Sequence, residues 1–155
     1  MDTIVSKLTL LFEVRMQYRQ SQTPISLEGR VGEYIGSGDG GVMGKRIQGH
    51  IVWDLFEKVG DDVCDAHFSG VIITDDGAEI RFNTLGFFRP PSDGSNIWRQ
   101  TASVVFTTDS PEYHWLTETV GVWDGEFDMG KYKHHYHVYT SEFEQPNSTN
   151  NRIVK

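Results

Sequence analysis

Cysteine is almost missing from this chain. Cys64 stands alone among 155 residues, which rules out an internal disulfide and any oxidative framework. No basic neighbour in Gly60-Asp61-Asp62-Val63-Cys64-Asp65 would activate the thiol, so it reads as inert. Basic charge is also scarce: 14 Lys and Arg face 22 Asp and Glu, giving a formal net charge of −8. A surface that holds phosphates carries a basic stripe instead. The short run Lys131-Tyr132-Lys133-His134-His135 is hemmed in by acids, so nucleic acid is not an expected partner. No apolar run reaches the ~20 residues needed to span a bilayer. Met1-Asp2-Thr3-Ile4-Val5-Ser6 has neither the basic start nor the apolar stretch of a leader. A cytoplasmic protein without a membrane partner is the expectation.

Common catalytic signatures are absent too. No Gly-x-Ser-x-Gly, Cys-x-x-Cys or His-Glu-x-x-His occurs, which removes support for the usual hydrolase, thiol-redox and zinc-protease chemistries. Gly36-Ser37-Gly38-Asp39-Gly40-Gly41 lacks the Gly-Lys-Ser/Thr ending of a phosphate-cradling loop and reads as a flexible loop. No segment keeps a helical repeat over ten or more residues.

What remains is strand chemistry: 16 glycines, many β-branched and aromatic residues, and short apolar runs broken by turns. Leu8, Leu10, Phe12, Val14, Met16 and Tyr18 alternate along one face of a first strand. A second strand from Arg46 to Leu55 sets Ile47, Ile51, Trp53 and Leu55 against Arg46, Gln48, His50 and Asp54. Asp75-Asp76-Gly77 joins Phe68–Thr74 to Ala78–Thr84 as a hairpin. A two-residue turn at Asp76-Gly77 would pair Ile73 with Ile80, Val71 with Phe82 and Ser69 with Thr84, matching apolar to apolar and putting His67 on that side. Arg89–Asn96 is a loop, Pro111–Leu116 one helical turn capped by Asp109 or Ser110, and Thr101–Thr108, Thr119–Trp123 and Tyr132–Phe143 are further strands. The predicted fold is all-β, a single closed or nearly closed antiparallel barrel of calycin-like type with about seven or eight strands and little helix. Residues 1–6 form an N-terminal extension, 7–144 the barrel domain and 145–155 a disordered tail.

The order of four pieces resembles a bacterial barrel family called domain of unknown function 3237. They are the opening strand through Val14, the glycine-rich Gly40-Gly41-Val42-Met43-Gly44-Lys45-Arg46-Ile47-Gln48-Gly49, the hairpin Thr74-Asp75-Asp76-Gly77-Ala78, and Tyr113-His114-Trp115-Leu116 with a closing strand through Val138-Tyr139. Together they cover roughly residues 7 to 143. The resemblance implies the barrel, and the family has no general assigned reaction. Two elements depart from its pattern. His50-Ile51-Val52-Trp53-Asp54 keeps Trp and Asp in reversed order from the family's Gly-Gly-x-Asp-Trp, and Asp65-Ala66-His67-Phe68 has histidine where the family has arginine.

Histidines carry the candidate chemistry. On the last strand His135 and His137 share a face with Lys131 and Lys133, which reads as a solvated surface. Two histidines at this spacing need a third ligand from elsewhere to hold a metal, so no metal and no cofactor are expected. His134 lies with Tyr132, Tyr136 and Val138 on the more apolar face. His67 and His134, assisted by Tyr136, are therefore the expected general acid and base in the barrel interior. Trp53, Phe82, Trp115 and Tyr132 are the expected lining for a small apolar or aromatic molecule. The activity expected from this set is that of a cofactor-independent lyase or isomerase transferring protons on an aromatic or polyketide-like compound. The alternatives are a non-catalytic carrier of such a ligand and an oligomeric scaffold, a homo-oligomer joined through exposed aromatics.

Overall fold

All strand pairs are antiparallel, and after the first strand each pairs with its neighbour in the chain, joined by turns and loops or, at Pro111–Glu118, by a 3₁₀ helix. The strands are β1 Leu8–Tyr18, β2 Ile25–Ser26, β3 Glu33–Met43, β4 Gln48–Val59, β5 Cys64–Thr74, β6 Glu79–Arg89, β7 Ile97–Thr107, β8 Val120–Asp128 and β9 Lys133–Ser141. The computed structural model describes residues 7–19, 25–26 and 32–141. The predicted extension 1–6 and tail 145–155 lie outside them. The sheet runs β1-β9-β8-β7-β6-β5-β4-β3-β2, and β1 also pairs with β3, so eight long strands close into a barrel. A 3₁₀ helix, Pro111–Glu118, follows Ser110 with proline in its first turn and buries Leu116. It covers the barrel end where the β3–β4 and β5–β6 turns lie: Arg46 stacks on Trp115, and the Tyr113 hydroxyl donates to the Asp76 carboxylate at 3.1 Å.

The glycine-rich segment is not a loop. Gly36–Gly41 forms the middle of β3, and its glycines make closure possible. A Cβ on Gly38 would strike the Gln17 carbonyl oxygen and the Trp53 ring, and one on Gly40 would strike the Arg15 carbonyl. Both contacts lie at the seam with β1, where Tyr18 pairs with Gly38 and Met16 with Gly40. Side chains there would hold the closing strands apart.

Alternation along β1 also breaks. A bulge between Leu10 and Phe12 shifts the register against β9, so Leu8 and Leu10 are exposed while Phe12, Val14, Met16 and Tyr18 stay buried. Inside the barrel, Trp53, Trp123, Tyr136, Phe12, Phe68, Phe82 and Phe88 are fully buried. Their rings pack edge to face or stacked, as between Phe82 and Trp123 at 5.6 Å and 11°.

Candidate functional site

The hairpin register decides where His67 points, and it differs from the sequence expectation. Ile73 pairs with Glu79, Ile72 with Ile80 and Gly70 with Phe82. The turn therefore has three residues, with Gly77 at φ 91°. Gly77 N–H donates to the Thr74 carbonyl, and Thr74 N–H to the Ala78 carbonyl, each at 2.9 Å. Thr74 reinforces this turn: its hydroxyl accepts from Ala78 N–H at 2.9 Å and bonds the Asp76 carboxylate. Apolar matching still operates, but on the inward face, through Ile72 with Ile80. Phe68 and Ala66 are fully buried while His67 between them is half-buried, so His67, Val71 and Ile73 face outward. His134 faces inward. The expected interior pair of His67 and His134 is thus split across the barrel wall.

His134 and Tyr136 are indeed together. His134 Nδ1 lies 2.7 Å from the Tyr136 hydroxyl, and its Nε2 lies 3.2 Å from the Tyr18 hydroxyl. A neutral imidazole fits such a bridge, since one nitrogen donates and the other accepts. The ring stacks on Phe127 at 4.3 Å and meets Trp53 at 5.5 Å. Burial pushes its pKa down to about 3 and pushes the two phenols up. A base this weak is poorly matched to proton transfer at neutral pH. His134 reads as a core imidazole that satisfies two buried tyrosines. Among the residues expected to line a cavity, Trp53 and Phe82 belong to the packed interior. Tyr132 sits in the turn before β9 at φ 54°, its ring 5.9 Å from Tyr18. Trp115 is on the 3₁₀ helix, outside the strand wall.

Space for a ligand occurs on the outer side of β3–β6. A pocket of about 600 Å³ is lined there by residues that include Ser37, Asp54, Phe56, His67, Ser69 and Asn83. Register explains the assembly. Ser37, Asp54, Ser69 and Asn83 are successive partners across four strands and form a polar row, while Ile35, Phe56 and His67 form the adjoining row. The Phe56 and His67 rings are 6.5 Å apart and tilted by 32°. In the floor the β5–β6 ladder opens: pairing passes from Ala66–Gly86 to Ser69–Asn83, and Phe68 N–H donates instead to the Thr84 hydroxyl at 2.9 Å. An imidazole, a carboxylate, two hydroxyls and an amide beside an aromatic ring can orient a flat molecule by its edge and exchange a proton with it.

Two further carboxylates stand outside the lining of this pocket. Strand β4 runs on to Val59, so the alternation Ile51, Trp53, Leu55 continues to Glu57. Burial raises the Glu57 carboxyl to about 7. Extending the alternation by two residues would have found it. Glu13 is the other, the β1 partner of His137. It bonds His135 Nε2, which holds its carboxyl below the ordinary range. Cys64 is buried, and burial pushes its thiol up, in keeping with an unreactive group.

A closed eight-stranded antiparallel barrel with a filled interior and a polar pocket on its outer wall is the class of protein these features define. The chain belongs to the family described as protein of unknown function (DUF3237), whose profile matches residues 6–141. No curated protein matches it. Among solved structures, a β-barrel-like protein from Acinetobacter baumannii AYE is 22% identical, with TM-score 0.76 over 91% of this chain and 99% of that one. A protein with unknown function from Clostridium acetobutylicum ATCC 824 is 20% identical, with TM-score 0.74 over 88% and 99% of the two chains. An enzyme from Penicillium herquei is 17% identical, with TM-score 0.66 over 92% and 98%. These likenesses show a shared fold. Among the described residues, no helix is long and apolar enough to cross a membrane.

Proposed function

We propose that the protein binds a small, flat organic molecule in the outer pocket of β3–β6, and that His67 exchanges a proton with it. The reaction class is isomerase- or lyase-like. His67 takes a proton from a carbon beside a carbonyl and either returns it elsewhere on the conjugated ligand or delivers it to a group leaving the neighbouring carbon as a C=C bond forms. Asp54, Ser69 and Asn83 accept and donate hydrogen bonds at the ligand edge, and Phe56 supplies a face for stacking. The observation that carries this reading is the convergence of His67 and Asp54 in one pocket of about 600 Å³, a volume suited to a small ligand. Imidazole is the side chain best adapted to proton exchange near neutral pH. The fold is compatible with catalysis, since a protein of this shape from Penicillium herquei is described as an enzyme.

The test uses hydroxylated acetophenones as probes in deuterated buffer, with proton NMR following deuterium uptake beside the carbonyl. Wild type should accelerate exchange. His67→Asn should lose roughly 10²–10⁴-fold of that rate, the usual contribution of a general base, while still binding. Equal exchange by His67→Asn would overturn the proton-transfer role. Probe-induced amide shifts that avoid Ser69 and Asn83 would overturn the pocket itself. Saturable binding there without any exchange would make the protein a carrier.

A further inference from the structure

The outer wall on the other side of the β1–β3 seam holds a second cluster of ligating side chains. His135 and His137 are two residues apart on β9, so both project outward, with ring centroids 5.0 Å apart. Glu13 comes from the neighbouring strand and pairs directly with His137. One ligand atom from each of the three lies within 4.8 Å of the others. Both Nε2 atoms turn toward the same carboxylate oxygen: His135 Nε2 bonds Glu13 Oε2, and His137 Nε2 is 3.9 Å from it. Zinc bonded to nitrogen and oxygen at about 2.1 Å in a tetrahedral arrangement requires ligand atoms about 3.4 Å apart. Small side-chain rotations would meet that spacing.

We propose that Glu13, His135 and His137 bind a divalent transition-metal ion of the zinc class. Two neutral imidazoles and one carboxylate are the donor set such ions select, and three protein ligands leave at least one position open for water or an incoming anion. Charges of both signs surround the pair. On β8, register sets Asp124 opposite His137 and Glu126 opposite His135, so acids flank the pair from both neighbouring strands. Cations already gather on these acids: Arg99 sits 3.4 Å from Asp124 and 3.5 Å from Glu126, and Arg15 is 3.1 Å from Glu13. Arg15 is 71% exposed in its side chain, so a metal displaces it from Glu13 at little cost. In the metal-bound state the ion takes the place of the hydrogen bond between His135 and Glu13. Tyr139 stacks on His137 at 6.5 Å and steadies the ring. The site is separate from the β3–β6 pocket and does not depend on it.

The experiment is calorimetric titration of the untagged full chain with zinc chloride at pH 7.5, paired with cobalt(II) absorption spectroscopy. One equivalent should bind, and cobalt should give the visible bands of a low-coordinate nitrogen–oxygen site. Glu13→Gln and His137→Asn should each weaken binding by at least ~100-fold, beyond the loss seen when only a ligand's supporting contact is removed. Arg15→Ala should tighten it. Circular dichroism of the variants checks that the barrel is intact. Should a variant unfold, nitrogen-15 shifts of the His135 and His137 imidazoles in the wild-type protein on zinc addition decide instead. No saturable binding, binding unchanged in both ligand variants, or zinc shifts confined to His50 or His114 would overturn the site.

Discussion

His134 and His135 are consecutive residues on β9, yet they occupy different media. His134 is 2% exposed and bridges two buried phenols, and its charged form is so penalised that the pKa falls to about 3. His135, pointing the other way, has a side chain 34% exposed and shares a bond with Glu13. The same contrast separates Phe68, in the packed interior, from His67 beside it in the outer pocket. In this barrel one residue of strand is the distance between a group that holds the fold and a group free for chemistry. The inner face is saturated with rings, and His134, Tyr18 and Tyr136 there satisfy one another. The outer face leaves them addressable by ligands.

Truncation sharpens the comparison most. Trp123→Ala removes a fully buried ring packed on Phe82, Phe68 and Tyr136 and should cost about 3–5 kcal/mol in urea unfolding. A loss below about 1 kcal/mol would mean that the interior is not packed as described.

Next is the pH response of His134. Its pKa is about 3 in the fold against 6.5 unfolded. Its neutral-state stability is therefore present above pH 6.5 and is lost as pH falls toward 3, on the order of 5 kcal/mol in the limit. His134→Phe cannot titrate. At pH 8 it should be less stable than wild type by about 1–3 kcal/mol, because two phenols lose their partner. By pH 4 that gap should close or reverse. A constant gap from pH 8 to pH 4 would contradict a buried neutral imidazole.

Glu57 gives the opposite slope. Its carboxyl is raised to about 7 from 4.5, so the stability it contributes is complete below pH 4.5 and is lost as pH rises through 7. Glu57→Gln should remove that loss, gaining on wild type by roughly 2–3 kcal/mol between pH 5 and pH 8. Melting curves at the two pH values check it, and parallel curves would place Glu57 in solvent. The smallest effect belongs to the outer wall. Leu85→Ser, at a position 65% exposed on β6, should change stability by less than about 0.5 kcal/mol. A larger destabilisation would show that this face is covered.

The sequence made the barrel legible through alternation, which depends only on neighbours along one strand. It separated His134 from His135 and His137 correctly and found the Pro111 turn. Three readings failed where the answer depended on a second strand. The glycines Gly36–Gly41 looked like a loop because their absent side chains make room for Gln17 and Trp53, which are remote in sequence. The β1 bulge exposed Leu8 and Leu10, although the sequence there alternates without a break. The hairpin register turned on Thr74 and Asp76 bonding within the turn, and one residue of slip moved His67 from inside to outside.

By itself, then, the sequence determined strand content, closure into a barrel and which residues of a given strand share a face, because period and composition are local properties. Only the tertiary structure decided which of the two faces is the inside for β5, and which strands lie side by side. The row of Ser37, Asp54, Ser69 and Asn83 and the meeting of Glu13 with His137 are products of pairing between strands. Glu13 and His137 are more than a hundred positions apart, and only the pairing of the first strand with the last, which has no local signature, sets them together.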